Sequence, residues 1–205
     1  MLELLTGLGL ATSAGLNAWI PLLVVGLLSR YTGLLTLPEA WQWLDNGWLL
    51  SVLAGLFVIE LVADKIPIVD SVNDVVQTVI RPGSGGVVFG AGSSAETAAV
   101  TDPAQLFSGG DWQPIAVGVA IALAVHVAKA LLRAILNTAT AGLAAPVLST
   151  VEDAGSVSLA VAAILVPVLV IGLLLGLPLL TWWLVRRVRR RRRAANATGT
   201  DHRIR

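Results

Sequence analysis

Between Glu60 and Arg81 the chain places four acids, Glu60, Asp64, Asp70 and Asp74, and two bases, Lys65 and Arg81, directly behind an apolar run. Carboxylates at this density can take up protons or hold a hard cation through oxygen ligands. Glu60 and Asp64 stand one helical turn apart, so their charges repel, and one of them needs a proton, a cation or a basic partner. Further along, His126, Lys129, Arg133, Asn137 and Thr140 recur at three- and four-residue steps, which aligns them in one stripe along a helix. Glu152 and Asp153 follow as an acidic pair. Lys65 is turned about 100° from Asp64 around a helix, so Lys129 and Arg133 are the better partners for the early acids. The same bases could instead hold an anion. His126 reads either as a proton relay near neutral pH or as a hydrogen-bonded residue between helices. The other histidine, His202, lies far away in the tail, which makes a poor metal site. Asn17 either joins the polar centre or bonds to neighbouring backbone.

The elements that position these groups belong to an apolar solvent. Of the 205 residues, 56% are hydrophobic and 13% charged, and the mean hydropathy is +0.80. A water-soluble domain carries about 25% charged residues. Runs near the length that crosses a bilayer core occur several times, so the sequence predicts an all-α integral membrane protein with about four transmembrane helices and broken or re-entrant helical segments. There are no cysteines, which excludes disulfides, a thiolate nucleophile and a cysteine-based metal site. The N-terminus contains Glu3 and no base, and its apolar run is long, so it reads as a retained first span.

The predicted helical membrane domain is 1–185, with spans near 4–28, 48–63, 114–136 and 159–185. The small, polar SAGLNAWIP (Ser13–Pro21) is expected to interrupt the first span, with Pro21 able to kink it, and Pro67 is expected to separate two helical pieces. Over 68–80, Asp70, Asp74 and Gln77 share one face that Arg81 continues, which predicts an amphipathic or re-entrant segment; 138–150 is a second re-entrant expectation. Trp41, Trp43 and Trp48 suit a head-group boundary. Residues 82–113, rich in Gly, Ser and Asp, read as an exposed loop. Within it GAGSSA (Gly90–Ala95) fits a dinucleotide fingerprint, but that motif needs a strand, a helix and a further strand, which this linker does not supply. SAGLNA (Ser13–Ala18) echoes TAGLAA (Thr140–Ala145), as an internal repeat with broken helices would, although such small apolar words also recur by chance.

Charge is unevenly spread. Residues 186–205 hold nine of the fourteen basic residues and one acid, leaving a body of five bases and twelve acids. This tail, 186–205, reads as disordered and cytoplasmic. Its arginines Arg186, Arg187, Arg189, Arg190, Arg191, Arg192 and Arg193 directly follow a span, where they fix topology and touch anionic lipid head groups instead of nucleic acid. With an even number of spans, both termini are expected in the cytoplasm of a bacterial inner membrane.

Three segments in order, ELVADKIPIVD (Glu60–Asp70), HVAKALLRAILNTATAG (His126–Gly142) and STVED (Ser149–Asp153), resemble a family of small bacterial membrane proteins known as domain of unknown function forty-one twenty-six. The resemblance runs from the first span through the last and excludes the arginine tail. It implies a bacterial multi-pass membrane protein and brings no activity, substrate or cofactor. ELVADK is also similar to the E-x-G-D-K signature of calcium and manganese exchangers, but its acids are spaced by four instead of three, the glycine is missing and no second copy occurs.

The functional expectation is a transporter or channel-like protein moving a small ion or solute. Its site draws on Glu60, Asp64, Lys65, Asp70, Asp74, His126, Lys129, Arg133, Asn137, Glu152 and Asp153. One rival is a scaffold or assembly factor whose buried charges fix helix packing. Another is an enzyme acting on lipid head groups, with Lys129 and Arg133 clamping phosphate, although no nucleophile pattern accompanies it. The cofactor, if any, is unknown, and a homo-oligomer is left open.

Overall fold

The structure is a computed structural model that describes residues 1–97, 112–176, 179 and 186. The loop after Thr97, most of the end of the predicted last span, tail arginines Arg187 and Arg189 to Arg193, and the side chain of Asp70 lie outside the described residues. The chain divides into Met1–Val170, which holds every element named below, and Ile171–Arg205, which is helical over 171–176.

The expected first span is two helices, α1 (Leu2–Leu16) and α2 (Trp19–Tyr31). The interruption lies at Asn17, in extended backbone, inside the expected stretch Ser13–Pro21 but ahead of Pro21 itself. Asn17 Oδ1 accepts from the N–H groups of Trp19 (3.0 Å) and Ile20 (3.2 Å), which satisfies the start of α2. Pro21 falls in the first turn of α2, where a missing N–H removes no helical bond.

A short strand, β1 (Leu35–Thr36), and a 3₁₀ helix (Glu39–Asp45) lead to α3 (Gly47–Ala63). Asn46 Oδ1 caps α3 by accepting from Trp48 N (2.9 Å) and Leu49 N (3.3 Å). Asp64 ends the helix, Ile66 is extended, and Pro67 opens α4 (Pro67–Ser94) at a position where proline is favourable.

α4 corrects two expectations. The amphipathic piece 68–80 is not a separate segment, and the predicted loop from 82 is helical through Pro82 to Ser94. Glycine often punctuates a chain, but here it lets backbones approach. A Cβ on Gly118 would collide with the Gly85 carbonyl, and one on Gly7 would lie 3.0 Å from the Phe89 ring. Val88, Phe89 and Ala91 are fully or almost fully buried as a result. GAGSSA lies at the end of this helix and not in a strand-to-helix turn. After it, β2 (Glu96–Thr97) pairs antiparallel with β1, Leu35 opposite Thr97 and Thr36 opposite Glu96.

α5 (Trp112–Thr140) and α6 (Ala145–Leu165) are joined by a tight turn with positive φ at Ala141 and Gly142. The expected re-entrant piece 138–150 is therefore the end of α5, that turn and the start of α6. The expected span 159–185 instead begins inside α6, which stops at Leu165 just before Pro167. Both halves of the SAGLNA–TAGLAA echo fall at helix ends.

α1 is the central helix, packed against α4, α5 and α6. Leu10, Ala11 and Ala14 meet a core that includes Ala122, Leu159, Ala160 and Ala163. Ser13 and Ser156 join α1 to α6 reciprocally: Ser13 Oγ donates to the Ser156 carbonyl (2.8 Å) and Ser156 Oγ to the Ser13 carbonyl (3.0 Å). The outer surface is apolar. Val72, Val75, Val76 and Val79 of α4, Val58, Ile59 and Val62 of α3, and Val127, Leu131 and Ile135 of α5 are exposed. Among the described residues, α5 and α6 are each long and apolar enough to cross a membrane. The 3₁₀ helix with α3, bent by 56°, makes a third if the pair is one span.

Candidate functional site

Polar side chains from four helices, α3 to α6, meet inside this apolar shell together with Asn17 from the break between α1 and α2. Asp74, Gln77 and Arg81 follow the helical repeat on α4, opposite its exposed valines, so the polar face of α4 points inward. That reverses the arrangement of a helix on a water-soluble protein. α5 contributes His126, Lys129 and Arg133, all buried, and α3 contributes Glu60 with Asp64 at its end. Charges removed from water at this depth cost several kcal/mol each unless they are paired.

The pairing forms two clusters. In the first, Arg81 has no exposed surface and donates from Nη2 to Glu60 Oε1 (2.8 Å). Its Nη1 is 3.1 Å from His126 Nδ1 and 3.9 Å from Asp74 Oδ1. His126 Nε2 in turn lies 3.0 Å from Thr78 Oγ1. In the second cluster Glu152 of α6 meets both Lys129 Nζ (3.1 Å) and Arg133 Nη2. Arg133 also lies 3.8 Å from Asp64 Oδ2, and Asp64 accepts from Asn73 Nδ2 (3.0 Å).

The interruption between α1 and α2 is built into the same centre. Lys129 Nζ donates to the carbonyl of Leu16 (2.8 Å), the last residue of α1, where the helix dipole favours a cation. Ser84 Oγ donates to the Ala18 carbonyl (2.6 Å), and Asn17 Nδ2 donates to Asp153 Oδ1 (3.0 Å). Asn17 thus does both things the sequence offered, serving its own backbone and joining the polar centre.

Five acids, Glu60, Asp64, Asp74, Glu152 and Asp153, outnumber the three bases Arg81, Lys129 and Arg133. Several buried oxygens find no hydrogen-bond partner among the described residues: Glu60 Oε2, Asp74 Oδ1, Gln77 Oε1, Asn137 Oδ1, Ser149 Oγ and Asp153 Oδ2. Surplus acceptors in a desolvated site are places for protons, water or a cation. Among the described residues, no three His, Asp or Glu side chains converge on a common metal position.

Of the residues singled out from sequence, Glu60, Asp64, Asp74, His126, Lys129, Arg133, Glu152 and Asp153 take part in these clusters, and Asn137 lines the same side of α5. Lys65 is exposed and outside both clusters. The partner of Glu60 is Arg81 and not a base of α5. Arg81 is not among the site residues expected from sequence, although its i+4 and i+7 spacing from Gln77 and Asp74 is the signal that points to it. Thr78 gave no such signal, because it lies beside the charged stripe on an exposed position.

An all-helical chain with an apolar exterior and a charged interior is the class this architecture defines. The chain belongs to the family described as domain of unknown function (DUF4126), whose sequence pattern matches residues 4–187. No curated protein and no solved structure matches it.

Proposed function

We propose that this is a multi-pass membrane protein, of about four spans with cytoplasmic termini in a bacterial inner membrane, and that it is a transporter or channel-like protein for a small ion. The observation that carries this reading is the enclosed centre itself, whose carboxylates outnumber its fixed cations and retain unpartnered oxygens. Intramembrane ionisable groups mark ion and proton routes more often than they serve packing alone. His126 is the central residue of α5, about 21 Å from either end at 1.5 Å per residue, which matches a site at mid-depth in a bilayer. The interrupted helix α1–α2, whose free carbonyls are held by Lys129 and Ser84, is the kind of backbone that transporters use at such sites.

Purified protein in proteoliposomes should move an ion down an imposed gradient, and Asp64→Asn should slow that movement at least tenfold. Failure to move any of H⁺, Na⁺, K⁺ or Cl⁻ would count decisively against transport.

One observation favours a second reading, in which the charges only fix helix packing: Glu60 and Arg81, Asp64 and Arg133, and Glu152 and Lys129 all pair across different helices. A scaffold should tolerate exchange of Glu60 and Arg81 in one double variant, with folded protein restored. A transport site should fold but stay inactive.

A further inference from the structure

The hydrogen bonds around His126 have only one consistent direction. A guanidinium has nothing but donors, so Arg81 Nη1 at 3.1 Å must donate and His126 Nδ1 must accept. The ring is then neutral and carries its proton on Nε2. At the other end, the Thr78 hydroxyl donates to the Asp74 carbonyl (2.9 Å). Thr78 Oγ1 is therefore free to accept from His126 Nε2–H across 3.0 Å. The line runs from exposed Thr78 through the ring to buried Arg81 and Glu60, and both ring nitrogens of His126 are accounted for.

A proton arriving at Nδ1 cannot coexist with this arrangement, because imidazolium and guanidinium would then face each other as donors. Arg81 has somewhere to go. Asp74 Oδ1 lies 3.9 Å from the same Nη1, too far for a hydrogen bond, and has no partner of its own among the described residues. The charged groups facing the ring are Arg81 and Asp74 from α4, Glu60 of α3 behind Arg81, and Lys129 of α5 itself, with Glu152 of α6 beyond Lys129. From Gly7 to Leu16, α1 presents no charged side chain.

We infer that the ion handled here is the proton, that His126 Nδ1 is its loading position, and that loading transfers the Arg81 guanidinium from His126 to Asp74 while its bond to Glu60 is kept. On loading, an N–H bond forms at Nδ1 and an O–H bond of a hydrated proton breaks, leaving water; release is the reverse. No further reactant is required. The inference rests on the transport reading and specifies the ion and its carrier.

The test uses protein carrying His202→Gln, which leaves His126 as the sole histidine of the two in the chain. Imidazole ¹⁵N spectra in lipid bilayers should show the Nε2–H tautomer with an accepting Nδ1 at neutral pH, and imidazolium on acidification. Arg81→Lys should shift the pH of that conversion by at least half a unit. In proteoliposomes a pH gradient should drive proton movement that falls at least tenfold in His126→Gln with folding retained. An Nδ1–H tautomer at neutral pH, or full proton flux in folded His126→Gln, overturns the inference. Movement of another ion with no proton movement also overturns it and leaves transport standing. No movement of any ion overturns the transport reading and this inference together.

Discussion

The two charged clusters are built from the same residue types in different proportions. Around Arg81 one cation serves two acids and a neutral histidine; around Glu152 two acids, Glu152 and Asp64, serve two cations. Proximity is similar in both, so stoichiometry is what separates them. The Arg81 cluster has negative charge and lone pairs to spare, and can accept a proton without losing its central pair. The Glu152 cluster would be weakened by one, because protonating Glu152 leaves Asp64 as the remaining acid for both Lys129 and Arg133. A buried charge network is thus a candidate ion site only where its balance leaves room for the ion, and a packing device where it does not.

The contrast can be tested by removing each hub. Arg81→Leu leaves Glu60 and Asp74 desolvated without their cation and should cost about 3–5 kcal/mol, read as loss of folded protein in detergent thermal unfolding. A loss below about 1 kcal/mol would mean the cluster is open to water. Glu152→Gln should cost less, about 1.5–3 kcal/mol, because Lys129 keeps the Leu16 carbonyl and Arg133 keeps Asp64. Equal losses in the two variants would erase the distinction drawn here.

Gly118→Val intrudes on the Gly85 backbone where α4 crosses α5, and overpacking there should cost about 1–3 kcal/mol. Because that crossing seats His126 against Arg81, the His126 ¹⁵N signals should move more than those of Arg133. Thr78→Val removes a single acceptor and should lower stability by about 0.5–1.5 kcal/mol, with a change in the His126 Nε2 resonance as its signature. Lys65→Ala should alter the melting behaviour by no more than about 0.5 kcal/mol, since Lys65 is exposed and serves neither cluster. A larger effect would bring it back into the site.

Much of this centre was legible because periodicity survives in any solvent. His126, Lys129 and Arg133 share a face by spacing alone, and Pro67 marks the start of α4 by removing a donor. The Gly-rich stretch after Arg81 was not legible. Rules for glycine in water treat it as a turn former, whereas at Gly85 and Gly118 it makes a contact surface between helices. The pairing of Glu60 with Arg81 escaped for a different reason. Spacing tells which side chains share a helix face, but not how α3 and α4 cross once Ile66 turns the chain. Asn17 shows the limit most clearly, since an amide in an apolar run announces a polar need without saying that a backbone interruption, and not Pro21, creates it.

The clasp between Ser13 and Ser156 has a consequence of its own. Because each hydroxyl finds its acceptor on the opposite helix, that junction asks nothing of its surroundings, and neither detergent nor lipid composition should loosen it. If the protein alternates between shapes, α1 and α6 should travel as one rigid body.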